Sequence, residues 1–161
     1  MMRKCLIAAV ILALSACSPN ASEAAPGSTQ AAPSAHPVSG LTVIPLTVTS
    51  GDKVHVFKVE VARTAQQQAR GLMFRTAMGA DEGMLFPMDP PRGASFWMRN
   101  TVISLDLIFV GVDGRISNIA ANAVPYDESP LRSAGLVTAV LELNGGRAAE
   151  LGLKAGDKVS W

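Results

Sequence analysis

Both cysteines of this 161-residue chain, Cys5 and Cys17, fall within its first seventeen residues. Whatever folds beyond them does so without a disulfide, a zinc-thiolate site or a cysteine nucleophile, so its stability has to come from a core. The 121 residues from Leu41 to Trp161 are enough for one sufficient core. In that stretch twelve basic residues balance twelve acidic ones, which leaves no cationic footprint for nucleic acid.

The segment that holds the cysteines has its own logic. Basic Arg3 and Lys4 precede an apolar run of ten, Cys5 to Leu14, followed by Leu14-Ser15-Ala16-Cys17. A spanning helix needs roughly 20 apolar residues, so the run reads as the core of an export signal over residues 1–16. The tetrapeptide resembles the lipobox of bacterial lipoproteins, which implies cleavage before Cys17 and its lipidation. Several acyl chains at ~0.8 kcal/mol per buried methylene would anchor the chain permanently to a membrane, facing the periplasm. Ser18 in place of Asp favours the outer over the inner membrane. Residues 17–40 follow as the lipidated cysteine and a tether. Ala, Ser, Pro and Gly supply seventeen of the 23 residues from Ser18 to Gly40, too little apolar surface to offset the entropy of ordering them. His36 in that tether is expected to be solvated.

Residues 41–161 read as a single globular β domain. Apolar runs predict strands over Leu41–Val48, Val54–Val61, Gly83–Met88, Ser95–Arg99, Ile103–Val110, Arg115–Ala121, Leu136–Leu143 and Asp157–Trp161. Phe57 breaks the alternation of Val54, Val56, Val59 and Val61, which predicts either a bulge or burial on both faces. Val112-Asp113-Gly114 marks a hairpin turn. Thr64 with Gln67 is a capping-box pattern opening a helix from Ala65 to Arg70 that stops at Gly71, and a second short helix is expected over Arg147–Leu151. About eight short strands and two helices suggest a mainly β fold, a β-sandwich or partly closed barrel.

Six short stretches then occur in order. They are Glu60-Val61-Ala62 with Thr64, Gly71-Leu72-Met73-Phe74-Arg75, Gly83-Met84-Leu85-Phe86, Phe96-Trp97-Met98-Arg99-Asn100-Thr101, Leu105-Asp106-Leu107-Ile108-Phe109 and Leu141-Glu142-Leu143-Asn144-Gly145-Gly146. Together they resemble the domain-of-unknown-function 192 family over nearly all of the 121 residues. The resemblance implies a jelly-roll-like β-sandwich and brings no catalytic residue. Arg99 stands where that family often has Lys, and Ser104 where it usually has Pro.

The residues themselves leave several chemistries open. Trp97, Arg99, Asn100 and Asp106, with Arg75, could line a binding pocket, the guanidiniums gripping a carboxylate, phosphate or glycan. Their alternative roles are structural ion pairs and turn caps. Asp106 and Glu142 each interrupt an apolar strand, so each points away from its Leu neighbours. Sharing a pocket, they could act as general acid and base on an envelope carbohydrate. Met73, Met84, Met88 and Met98 beside Trp97 would suit a soft cation such as Cu(I), although methionines also fill irregular cores. Asp127-Glu128 is too sparse for Ca²⁺ and reads as a solvated loop. No phosphate loop, zinc-protease helix or nucleophile elbow is present. The leading expectation is a non-enzymatic envelope lipoprotein without a cofactor, binding an unknown ligand or protein partner.

Overall fold

The computed structural model describes residues 34–161; the expected signal, Cys17 and the first part of the tether lie outside the described residues. The strands are β1 (Ser34–Ala35), β2 (Thr42–Ser50), β3 (Lys53–Val61), β4 (Glu82–Phe96), β5 (Leu105–Gly111), β6 (Ile116–Ala123), β7 (Leu131–Asn144) and β8 (Lys158–Ser160). Helices α1 (Ala65–Arg70) and α2 (Arg147–Leu151) interrupt them. The strands form one sheet in the order β1-β2-β3-β4-β7-β5-β6, with β8 added to β2. All pairs are antiparallel except β3 with β4, whose parallel register needs the crossover that carries α1. At its far side β8 touches the start of β6 through the Arg115–Lys158 bridge, which curls the sheet into a partly closed half-barrel. That is the barrel form of the predicted architecture; a separate second sheet is not seen among the described residues.

The two short helices form where expected. Thr64 accepts from the Gln67 amide at 3.1 Å while the Gln67 side chain accepts from the Thr64 amide at 2.9 Å, and Gly71 closes the helix. Helix α2 stops at Gly152, whose left-handed backbone (φ 71°) suits a residue without a β-carbon. The 112–114 turn also forms, with Gly114 at φ 72° and Asp113 accepting from the Arg115 amide.

Elsewhere the structure departs from the periodicity. Strand β4 is one element of fifteen residues, so Ser95 and Phe96 end it and no separate strand runs to Arg99. Its ladder with β7 slips between Pro87 and Arg92, where Pro90 and Pro91 have no amide hydrogen to donate. Strand β3 is paired regularly with β2 and has no bulge. Its phase break has a simpler cause: Phe57, Val59 and Val61 point inward, whereas Val54 and Val56 face solvent. Of the expected tether, residues 34–40 are described, and Ser34 and Ala35 pair with β2. His36 is not solvated, because its Nε2 lies 3.5 Å from Glu60 and its carbonyl accepts from Gly40.

The sheet has two apolar faces. One buries Leu46, Phe57, Val59, Leu85, Ile108, Val110, Leu141 and Leu143, drawn from strands all round the curl together with Ala148 of α2. The other, on the central strands β4, β7 and β5, buries Met84, Phe86, Leu105, Leu107, Phe109 and Val140 beneath Leu72 and Met98 from the covering loops. Gly83 lets β4 and β7 close up, since a β-carbon there would lie 2.5 Å from the Glu142 carbonyl oxygen. Gly145 likewise faces Ser104 with no room for a side chain. Ser104, standing where a proline is usual in the resembled family, ties this corner by donating from Oγ to Ala123 and accepting from the Gly145 amide.

Candidate functional site

The register decides the fate of the two carboxylates. Asp106 pairs with Leu143 and Leu107 with Glu142. Asp106 and Glu142 are therefore one position out of phase on neighbouring strands, and they project from opposite faces of the sheet. The structure does not bring them together as a general acid and base.

Asp106 points to the face that packs against α2 and is fully buried. Its Oδ1 accepts from the amides of Asn122 (2.8 Å) and Gly146 (3.0 Å), and its Oδ2 from Ala148 (2.8 Å). Two of those amides are orphan donors at the start of α2, so the carboxylate caps that helix and fastens it to the sheet. Its oxygens are committed to the backbone, away from the other predicted pocket residues.

Glu142 points to the second face, between Met84 of β4 and Leu107 of β5. It is 5% exposed, and burial is the one influence on its carboxyl, with no hydrogen bond or charge from another described residue acting on it. What exposure it has opens on a cavity of about 440 Å³. Burial pushes the Glu142 carboxyl from 4.5 up to about 8, so it is mainly protonated at neutral pH. The walls are Leu72, Met73, Phe86, Met88, Ala94 and Phe96, with Gln68, Arg70, Arg92, Trp97 and Thr101 as polar or aromatic lining. The volume falls in the range of small-molecule sites, ~300–1,000 Å³.

Three elements shape this cavity. Helix α1 places Gln68, whose Nε2 donates to the carbonyls of Ala62 (3.2 Å) and Pro87 (2.9 Å) and whose Oε1 accepts from Arg92 at 3.4 Å. The bulged part of β4 brings Arg92 and Ala94 to one wall. The segment after β4 supplies Trp97, which is 49% exposed, with the Arg99 guanidinium 5.6 Å from its ring centroid. The loops behind are pinned to each other: Phe74 donates to the Asn100 carbonyl (2.9 Å), Met98 to Asp127 (2.7 Å) and Tyr126 to Met98 (3.1 Å). Phe74, Asn100 and Tyr126 all hold positive φ, at 64°, 55° and 65°. For bulky Phe and Tyr this is a strained backbone, on the order of 1–3 kcal/mol each, of the kind that gathers at functional sites.

Of the residues predicted from sequence, Glu142, Trp97, Met73 and Met88 line the cavity. Asn100 braces it from outside, its Nδ2 3.8 Å from the Met73 sulfur. Arg99 stacks on Trp97 and lies 3.9 Å from Glu128. Arg75 is not free for a ligand, because it grips buried Glu60 in a two-pronged pair at 2.8 and 3.1 Å; Ser39 and His36 complete that cluster. Met84 and Met98 are core residues at 0% and 1% exposure. No group of three or more His, Cys, Asp or Glu suited to a metal occurs among the described residues. Sequence reasoning missed Gln68, Arg70 and Arg92, which carry no motif; the one available signal was a capped helix with Gln68 and Arg70 near its end. Among the described residues no helix is long and apolar enough to cross a membrane.

Comparison with known proteins agrees with the motif series. No curated protein matches the chain. A crystal structure of a protein of unknown function from Novosphingobium aromaticivorans DSM 12444 is 64% identical, with a TM-score of 0.80, and the match covers 81% of this chain and 94% of that one. A second, from Sinorhizobium meliloti 1021 and described as a candidate transcription regulator, is 38% identical with a TM-score of 0.70, covering 72% and 91%. The family model for DUF192, described as "Uncharacterized ACR", matches residues 46–161. The chain belongs to this domain-of-unknown-function 192 family.

Proposed function

We propose that the protein is a binding module for a small molecule with an apolar body, without a catalytic role, held at the bacterial envelope by lipid on Cys17 and facing the periplasm. The observation that carries this reading is Glu142, a buried carboxyl with no partner among the described residues, in the wall of a cavity whose lining mixes apolar and polar side chains. Leaving such a group unpaired costs a folded chain free energy that an apolar side chain would avoid. A ligand in the cavity supplies the missing partner. The exposed indole of Trp97 at the cavity and the strained loops behind it fit the same use.

The acid/base alternative has less support, since the cavity's titratable lining is Glu142, Arg70 and Arg92, with no second carboxyl. The soft-metal alternative would need Met84 and Met98 to leave the core.

Binding of 4-phenylbutan-1-ol to the full chain in lipid nanodiscs tests the reading. Trp161→Phe leaves Trp97 as the sole indole. A saturable change in its emission and a raised melting temperature are expected, about 2.7 kcal/mol of stabilisation at a hundredfold excess over Kd. Ala94→Phe, which fills the cavity, should abolish both. If neither the alcohol nor its carboxylate and amine analogues bind saturably, the cavity is not a receptor site.

A further inference from the structure

We infer, building on the receptor reading above, that the cavity takes an amphiphilic carboxylate, its apolar body lying inward over Glu142 and its anionic head held by Arg70 and Arg92. Two cationic side chains line the cavity. Helix α1 contributes Arg70 and strand β4 contributes Arg92. The positions beside Glu142 in the ladder, Met84 and Leu107, carry no charge, and the Trp97–Thr101 segment adds only Trp97 and Thr101 to the lining. Asp106, on the next strand, projects from the other face.

Neither arginine is spoken for. Among the described residues no carboxylate lies within salt-bridge distance of Arg70 or Arg92, both exposed, whereas Arg75 and Arg99 have one each and Arg147 has two. Arg70 lies against the Phe74 ring at 5.8 Å, and Arg92 holds the neutral Gln68 amide. With Glu142 protonated the cavity therefore carries two positive charges and no negative one. A planar carboxylate matches a guanidinium in charge and shape, and the Phe86, Met88 and Leu72 walls match an apolar body.

Glu142 then makes recognition depend on pH. As a neutral acid it can donate a hydrogen bond to an acceptor on the ligand or stand beside an apolar chain. Ionised, it adds a negative charge to the cavity that holds the anion. Burial pushes its carboxyl up to about 8, so the binding-competent fraction is largely intact at pH 7 and falls about fivefold from pH 8 to pH 9.

Three probes with one body separate the possibilities: 4-phenylbutanoate, 4-phenylbutan-1-ol and 4-phenylbutylamine, titrated against the full chain in nanodiscs at pH 6, 7, 8 and 9, with empty nanodiscs as blank. At pH 7 the carboxylate should bind about tenfold more tightly than the alcohol, and Arg70→Gln or Arg92→Gln should bring it down toward the alcohol. From pH 8 to 9 carboxylate affinity should fall, and Glu142→Gln, which keeps the shape but cannot ionise, should remove that fall while retaining binding at pH 7. Equal affinity for carboxylate and alcohol would overturn the anion assignment and leave the receptor reading standing. Preference for the amine, strengthening toward pH 8, would overturn it in favour of a cation paired with ionised Glu142. Failure of all three probes would remove the receptor reading itself.

Discussion

Glu142→Gln should flatten the dependence of folding stability on pH across the neutral range. In the unfolded chain the carboxyl loses its proton near 4.5, whereas in the folded protein burial holds the proton until about pH 8. Between those values the folded state binds more protons than the unfolded one, so stability falls as pH rises; above pH 8 both states are ionised and this contribution levels off. At ~1.4 kcal/mol per pH unit, the interval from 4.5 to 8 corresponds to about 5 kcal/mol in all, of which about 3 kcal/mol is already lost at pH 7. Gln is neutral in both states, so its variant has no such slope. Urea unfolding of parent and variant at pH 5, 7 and 9 reads the difference directly. With an m-value of ~2 kcal/mol/M, the parent's midpoint should drop relative to the variant's by roughly 1.5 M between pH 5 and 7. Other titrating groups cancel in the comparison, and any loss of packing in the variant is a constant offset. Parallel curves from pH 5 to pH 9 would refute the assignment of a buried, unpaired carboxyl at this position.

Two further outcomes follow from the same geometry and from the N-terminal segment. Asp106→Ala should destabilise the fold by on the order of 3 kcal/mol, because three backbone amides, one buried and two partly buried, lose their acceptor. Hydrogen exchange should localise the damage to residues 146–151, and any protein that remains folded should bind 4-phenylbutanoate as before, since Asp106 serves the opposite face of the sheet. Cys17→Ala should leave the domain folded but move it from the membrane to the soluble fraction in cell fractionation. Continued membrane association would count against the lipid anchor.

What was legible in the sequence is what is encoded locally. The Thr64–Gln67 box sets helix α1 through contacts three residues apart, and Gly114 sets its turn by its own backbone. Strand existence was legible for the same reason, and a motif series spread along the domain was enough to place it in its family. Strand ends were less so. The Pro90–Pro91 pair suggests a break, yet β4 passes through it as a bulge because β7 pairs with it on both sides. Val54 and Val56 have the spacing of core residues but lie on the solvent side, since periodicity carries no sign. Ser39 and His36 sit in a stretch too poor in apolar side chains to fold alone, and they are ordered by Glu60, a buried carboxylate more than twenty residues away.

The site shows the same limit more sharply. Alternation establishes that Asp106 and Glu142 each turn away from flanking leucines, which makes them look equivalent. The difference lies in a single step of register between β5 and β7, Asp106 opposite Leu143 rather than Glu142. Shifting that register by one would place both carboxylates on one face, so no property of either strand alone could have separated them. The step is held by the whole sheet, including the contact between Gly83 and the β7 backbone that excludes even a methyl group. One carboxylate thereby meets the amides of α2 and becomes a structural cap. The other meets only apolar neighbours and a cavity, and its chemistry is left to whatever enters.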